Sequence, residues 1–398
     1  MSSEIRRVED AHLAKFFARK TIDVVRGKGA FVYDSEAREF IDCTGSYGTC
    51  IVGHAHPKVA RAICEQASKL ISCHASTYND ARARFLLSIE SISPPGLDRV
   101  FPSNSGAEAV ECAIKLARKR TGRRKIVAMK GGFHGKTHGA LSATWDGKYR
   151  KSFEPLVPDF VHVSFGDSEA AKVAVDQDTA AVLVEPVQGE GGVRVPPPDW
   201  LAILRDLTEE RGALLIADEI QTGFGRTGKM FACDHYGVVP DILCLGKGIA
   251  SGLPIGLTIA SDDVMSALLI GEHTSTFSGN PIVCAATSAT IEVLSGEHLI
   301  ERAQKNGEYL KSRLREIAEQ NRIVREVRGL GLMLGMETRF DVHQILTSAL
   351  ARGVLLLDAG RNIIRFLPPL CIETDQIDRV VSILGDCLEK EGLEKIRA

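Results

Sequence analysis

Short apolar segments alternate with amphipathic segments over most of the chain. Between residues 99 and 260 the apolar segments are RVFPSN, KIVAMKG, AAVLVEP, ALLIADE, DILCLGK and GLTIAS. Short runs of this kind are typical of strands that are buried on both faces. Their alternation with helical segments predicts an α/β fold with a largely parallel sheet, and ligands in such folds bind at the carboxyl ends of the strands.

One strand–loop–helix unit has a specific sequence signature. Apolar residues recur every three or four positions between Asn104 and Arg120, and either Asn104 or Ser105 can cap the N-terminus of the predicted helix. The loop before this helix therefore directs backbone amides outward. The apolar face consists of Ala109, Val110, Ala113, Ile114 and Ala117.

Beyond about residue 290 the pattern changes. Charged helical sequence, EHLIERAQKNGEYLKSRLREIAEQ, is followed by VREVRGLGLMLGME and NIIRFLPPL. This order predicts a smaller α+β domain at the C-terminus. The length of 398 residues supports two domains, because single cores stop growing near 250 to 300 residues.

Composition limits the class of partner. A formal net charge of -2 gives no electrostatic signature of nucleic acid or membrane binding, so small-molecule chemistry is favoured. The charged N-terminus lacks the apolar stretch of a signal peptide, and no run is long enough for a membrane helix, so we expect a cytoplasmic protein. The ten cysteines form no C-x-x-C pair, so no metal site is predicted.

Two glycine-rich segments resemble nucleotide-binding loops but fail on detail. The segment GGFHGKTHG would need glycine at position 130 to match the phosphate-loop spacing, and this chain has Lys130. Gly223, Gly225 and Gly228 match G-x-G-x-x-G, but the sequence after them lacks a helical apolar period. A non-catalytic nucleotide-binding protein therefore remains a weak alternative.

Ionisable residues at strand ends carry more information. Asp218 ends an apolar run, where it needs a cationic partner, although a salt bridge or helix cap would explain it equally. Lys247 follows another run between two glycines, and a lysine in low dielectric can attack an aldehyde; taken singly, a solvated loop lysine is as good an explanation. Together with an aromatic face and a nest of amides, these groups match what pyridoxal phosphate requires.

Eight motifs extend this match over nearly the whole chain, from about Arg26 to Leu384. They resemble, in order, those of the class III, or ω-, aminotransferases of fold type I: SNSGAEAVECAIKLAR, GGFHGKTHGALSAT, LVEPVQGEGGV, ADEIQTGFGRTGKMFA, PDILCLGKGI, TSTFSGNP, RGLGLMLGME and IIRFLPPL. The resemblance implies a large domain, residues 49–290, with a mostly parallel seven-stranded sheet. It also implies a smaller α+β domain, residues 291–398, which the N-terminal segment 1–48 joins.

The resemblance implies a role for each position that holds pyridoxal 5'-phosphate. Lys247 corresponds to the Schiff-base lysine, which also moves the proton between substrate and cofactor, and Asp218 to the carboxylate on the pyridine nitrogen. The other implied cofactor-binding residues are Gln221 at the ring hydroxyl, Phe133 and Ile220 on the ring faces, His134, and Ser105, Gly106, Ala107 and Thr276 at the phosphate. Because the family supplies Thr276 from the neighbouring subunit, a homodimer with active sites at its interface is implied, with assembly into tetramers left open.

The implied substrate residues are Arg365, Glu185, Tyr47, Phe17 and Lys136. Arg365 corresponds to the arginine that binds the α-carboxylate of glutamate and 2-oxoglutarate. Glu185 is expected to neutralise this arginine when the ω-amine is bound. Tyr47 falls at the specificity tyrosine of ornithine aminotransferases. Lys136 stands where family members commonly have the arginine that binds a distal carboxylate, and lysine offers a point charge instead of a fork.

The donor stays open at this point. The segment around FHGKTHGALSAT resembles putrescine aminotransferases, whereas FIDCTGSYGTCIVGHAHP resembles acetylornithine and carrier-linked lysine-biosynthesis enzymes. We expect a ping-pong ω-aminotransferase that moves the terminal amino group of ornithine, an N-blocked ornithine or lysine, or a diamine to 2-oxoglutarate, with broad amine acceptance. The alternatives are a 4-aminobutyrate aminotransferase and a racemase or aminomutase of the same fold.

Overall fold

The computed structural model describes residues 2–397 and the side chains of residues 4–391. The outermost ends of the first and last predicted domains, residues 1 and 398, lie outside this range. The strands are β1 (Val24–Lys28), β2 (Phe31–Asp34), β3 (Glu39–Asp42), β4 (Arg99–Ser103), β5 (Lys125–Met129), β6 (Phe160–Val163), β7 (Thr179–Val184), β8 (Leu214–Asp218), β9 (Ile242–Leu245), β10 (Gly256–Ala260), β11 (Val324–Leu330), β12 (Met333–Thr338), β13 (Val354–Leu355), β14 (Leu357–Asp358) and β15 (Ile363–Phe366).

The helices surround three sheets. They are α1 (Ser2–His12), α2 (Gly45–Gly48), α3 (Pro57–Lys69), α4 (Asp80–Glu90), α5 (Gly106–Thr121), α6 (His138–Ala143), α7 (Gly147–Arg150), α8 (Ser168–Ala174), α9 (Trp200–Arg211), α10 (Asp262–Met265), α11 (Pro281–Gly296), α12 (Leu299–Gln320), α13 (His343–Ala351) and α14 (Thr374–Arg397). None of the helices in residues 2–397 combines the length and the apolar content that a membrane crossing requires.

The central sheet has seven strands in the order β4-β10-β9-β8-β7-β5-β6. Strand β10 is antiparallel to both neighbours, and the pairs from β9 through β6 are parallel. The predicted, mostly parallel seven-stranded sheet is therefore confirmed. Strands β7 and β9 are buried along their whole length, as their apolar sequences predict.

Helix α5 packs on this sheet as the apolar spacing predicts. Its N-cap is Ser105, whose side chain accepts a hydrogen bond from the amide of Glu108. The predicted apolar face, from Ala109 to Ala117, is buried against β9 and β10. Since the first amides of a helix have no intrahelical partner, the cap leaves donors at the sheet edge.

Two four-stranded sheets lie outside the central one. The strand order of the first is β1-β2-β3-β13, so N-terminal strands pair with a C-terminal strand. The second is antiparallel, with the order β11-β12-β15-β14. These pairings favour the predicted grouping of residues 1–48 with residues 291–398. The boundaries themselves remain predictions, and the one at residue 290 falls within α11.

Candidate active site

Four neighbouring parallel strands end at one edge of the central sheet. Strand β5 ends at Met129, β7 at Val184, β8 at Asp218 and β9 at Leu245. The segments that follow these strands line a cavity of about 220 Å³. Its walls are Gly106, Ala107, Phe133, His134, Gly135, Glu185, Glu190, Asp218, Ile220, Gln221 and Lys247. Most of the cofactor residues expected from the sequence are thus brought together at one place.

Lys247 follows Gly246 at the end of β9 with a backbone φ of 46°, which is in the left-handed region. This conformation is costly for a residue with a side chain, and strain of this kind is concentrated at functional sites. Burial lowers the pKa of the Lys247 amine despite the nearby charges of Glu190 and Asp218. A larger share of the amine is therefore unprotonated near neutral pH, as a nucleophile requires.

Asp218 is nearly inaccessible and has a defined partner. One carboxylate oxygen lies 2.7 Å from Nδ1 of His134, and the other accepts the amide hydrogen of Ile220 at 3.1 Å. Burial lowers the pKa of His134, but the hydrogen bond and charge of Asp218, with the charge of Glu185, outweigh burial and raise it. His134 therefore holds Asp218 in one orientation and stabilises its ionised form.

The cavity fits the cofactor that the sequence predicts. A volume of about 220 Å³ suits one small ring rather than a drug-sized ligand, for which pockets of roughly 300 Å³ or more are typical. A Cβ on Gly106 would lie 2.7 Å from the side chain of Ile220, so only glycine allows α5 to approach this wall. The amides that start α5 can bind a phosphate there, and Asp218 can hold a proton on a ring nitrogen.

Arg365 enters the site from β15 and is almost completely buried. Its Nη1 donates to Oε1 of Glu190 at 2.5 Å and to Oε1 of Gln221 at 3.4 Å. The Tyr47 ring centre lies 5.9 Å from the guanidinium carbon. Burial raises the pKa of Glu190, but the charges of Arg365 and Lys247 outweigh this effect and lower it. Arg365 and Glu190 therefore form a charged pair beside the Lys247 amine.

This pairing corrects one expectation from the sequence. Glu185, not Glu190, was predicted to neutralise Arg365. The structure instead directs the two oxygens of Glu185 to the amides of Phe133, at 2.9 Å, and Gly189, at 3.0 Å. Burial raises the pKa of Glu185 to about 7. The prediction of Glu185 as partner was wrong because this residue follows β7 directly and stays at the sheet edge, whereas the loop beyond carries Glu190 across to β15.

The motif QGE contained the signal for Glu190, since it places a second carboxylate five residues after Glu185. The amide of Gln188 donates to the carbonyl of Arg194, and the amide of Arg194 donates back, both at 3.0 Å. This bridge closes a loop with Glu190 at its tip. The sequence alone does not show that such a loop reaches a strand of the other sheet.

The remaining predicted residues lie outside the cavity wall of this chain. Lys136 is exposed, with its amine 5.2 Å from the ring centre of Tyr149, which in turn contacts Phe133. Thr276 is exposed and follows Ser275, whose hydroxyl accepts a hydrogen bond from Asn104 at 2.9 Å. Phe17 is exposed and lines a separate surface cavity near the N-terminus. Their roles at the site remain predictions.

Comparison with known proteins adds independent information. The family model described as aminotransferase class III matches residues 16–388. An acetylornithine aminotransferase from Methanopyrus kandleri is 45% identical over 391 residues, which cover 98% of this chain and 100% of that protein. A [LysW]-aminoadipate semialdehyde transaminase from Deinococcus radiodurans is 46% identical over 371 residues, covering 92% of this chain and 86% of that protein.

A solved structure agrees along the whole chain. It is an ornithine aminotransferase from Toxoplasma gondii, described with partial occupancy of pyridoxal phosphate at its active site. The TM-score is 0.95 at 32% sequence identity, covering 100% of this chain and 96% of that one. The fold similarity therefore extends through both the central sheet and the smaller sheets.

Proposed function

The chain belongs to the class III aminotransferases, a pyridoxal-phosphate-dependent family, and we propose that it moves the terminal amino group of an ornithine-type donor to 2-oxoglutarate. The donor is ornithine, an N-acylated ornithine or lysine, or a diamine. Relatives named for acetylornithine and for a carrier-linked aminoadipate semialdehyde support the N-acylated members of this set. The products are an aldehyde and glutamate.

The buried pair of Arg365 and Glu190 is the observation that carries this proposal. A transaminase must accept two substrates in turn at one site, and here only the 2-oxo acid has a carboxylate next to the reacting carbon. With the donor bound, Glu190 neutralises Arg365, so no uncompensated charge faces the alkyl chain. With the 2-oxo acid bound, Arg365 turns to the α-carboxylate, which a guanidinium can hold by two hydrogen bonds.

The other residues act on the reacting centre and its cofactor. Bound pyridoxal phosphate supplies an aldehyde that exchanges amino groups and a ring that withdraws electrons. Lys247 attacks as the amine and then carries a proton at the substrate carbon. Asp218, fixed by His134, keeps a proton on the ring nitrogen. Phe133 and Ile220 pack on the ring faces, and the Gly106 and Ala107 amides bind the phosphate.

A donor screen tests this function. Ornithine, N-acetylornithine, lysine, putrescine and 4-aminobutyrate are each supplied with 2-oxoglutarate, and glutamate formation is measured. We expect ornithine or N-acetylornithine to have the highest kcat/KM and 4-aminobutyrate to be poor, because Lys136 offers no fork for its carboxylate. Fast turnover of 4-aminobutyrate would favour that alternative activity. Absence of glutamate with every donor would favour a racemase or aminomutase.

We also propose a homodimer in which Thr276 completes the partner's site. In support, Thr276 is exposed and lies outside the cavity wall of its own chain. Subunits carrying Lys247→Ala and subunits carrying Thr276→Ala are mixed and assayed at limiting pyridoxal phosphate. Exchange between subunits then creates one intact site per hybrid dimer, so activity should exceed that of either variant. Activity that stays at the level of the separate variants would place Thr276 in its own chain's site.

A further inference from the structure

A second cavity, of about 320 Å³, adjoins the active-site cavity. The two cavities share Phe133 and Glu190 in their walls, so a ligand can extend from one into the other. One wall of the outer cavity comes from the loops after β5 and β7 and from α7. The opposite wall is the turn between β14 and β15, residues 359–363. We call this space the outer chamber.

The outer chamber has an excess of positive charge. Its charged wall residues are Lys130, Asp146, Lys148, Glu190 and Arg194. Both carboxylates already have a cation, since Asp146 pairs with Lys148 at 3.2 Å and Glu190 pairs with Arg365. Among the described side chains, none forms an ion pair with Lys130 or Arg194. Two uncompensated cations therefore face this space in a chain whose net charge is -2.

Aromatic side chains hold these cations at the chamber wall. The Lys130 amine lies 5.6 Å from the ring centre of Trp145, and the Lys148 amine lies 4.7 Å from that of Tyr149. Both rings also line the chamber. Ring faces attract ammonium groups, so the lysines remain near the chamber instead of extending freely into solvent.

We propose that the outer chamber is an anion subsite that receives a carboxylate carried on the N-acyl extension of the donor. This inference rests on the proposed function, because it is the amine end of an ornithine-type donor that must reach Lys247. The acylated end then points past Phe133 and Glu190 into the chamber. Lys130 and Arg194 bind its terminal carboxylate, and Arg194 provides the forked geometry that Lys136 lacks.

The test compares two donors of matched length. N-glutarylornithine ends in a carboxylate, whereas N-pentanoylornithine ends in a methyl group and is otherwise alike. We expect the holoenzyme to prefer the glutaryl donor in kcat/KM by about 10-fold, as two exposed charge contacts allow. The double variant Lys130→Gln/Arg194→Gln should reduce this ratio to about 1. Salt at 0.5 M should also reduce the ratio for the unmodified enzyme, because exposed charges are screened.

The matched control removes the same two charges elsewhere. Lys305 and Arg315 are exposed on α12, and Lys305→Gln/Arg315→Gln should keep the 10-fold ratio. Equal use of both donors by the unmodified enzyme, or an unchanged ratio in the chamber variant, would overturn the subsite while leaving the transaminase function in place. Turnover of neither donor would overturn the subsite and the N-acylated donor together.

Discussion

The charged pair between Arg365 and Glu190 predicts that Glu190→Gln separates the two half-reactions. The donor needs Arg365 to be neutralised, and the 2-oxo acid needs Arg365 to be released. Without the Glu190 charge, Arg365 faces the donor uncompensated, so the kcat/KM of the donor half-reaction should fall. The carboxylate of 2-oxoglutarate no longer competes with Glu190, so its KM should fall as well.

The size of the effect follows from the geometry. The Arg365 side chain is 1% exposed and its Nη1 lies 2.5 Å from Oε1 of Glu190. Two unit charges centred about 4 Å apart attract by about 4 kcal/mol at an effective dielectric constant of 20. Glutamine keeps a hydrogen bond to the guanidinium, so we expect about half of this energy to be lost. A loss of about 2 kcal/mol corresponds to a roughly 30-fold change in each half-reaction.

The assay follows each half-reaction by the absorbance of the bound cofactor in a stopped-flow instrument. Donor alone gives the first rate, and 2-oxoglutarate added to the aminated enzyme gives the second. Glu185→Gln is the matched control, because it removes a carboxylate from the same loop without touching Arg365. An equal loss in both half-reactions for Glu190→Gln, or an opposed change for Glu185→Gln, would refute this account of the pair.

Three further outcomes are expected. Burial raises the pKa of Glu185 to about 7, so the stability from its protonated form is fully present below about pH 4.5 and is lost as pH rises through 7; urea unfolding of Glu185→Gln should lack this loss, which is on the order of 3 kcal/mol in the unmodified protein. Lys136→Arg should raise kcat/KM for 4-aminobutyrate by about 10-fold without improving putrescine, and equal gains for both amines would argue against a carboxylate clamp. Asp218→Asn should lower kcat by roughly 100-fold or more while the cofactor stays bound, since the ring then loses its electron-withdrawing proton, and a kcat near that of the unmodified enzyme would contradict the assignment.

Residues next to strand ends could be placed from the sequence. Asp218 and Lys247 each end an apolar run, and parallel strands direct such residues to one edge of the sheet. The cap of α5 was equally readable, because serine before a helical apolar period has a local physical meaning. For these residues the strand or helix that carries the side chain also determines where it points.

Glu190 shows why the other part of the site could not be predicted in the same way. Its partner Arg365 lies 175 positions away on a different sheet, so neither strand spacing nor local charge pattern connects them. The strand-end rule selected Glu185, which does lie at the edge of the central sheet but binds backbone amides there. Contacts between loops and a second sheet depend on how the sheets pack, and periodicity contains no information about that packing.

The same reasoning applies to the far end of the donor. From the sequence, Lys136 alone had to explain recognition of a distal carboxylate, and a single lysine explains it poorly. In the structure, Lys136 lies at the mouth beside Tyr149, while Lys130 and Arg194, 64 positions apart in sequence, face a shared chamber. Replacing one arginine by lysine therefore does not remove anion recognition from this enzyme, because recognition can rest on cations that the loops bring together. Donor specificity in this chain should then follow the charge of the whole chamber more closely than the residue at position 136.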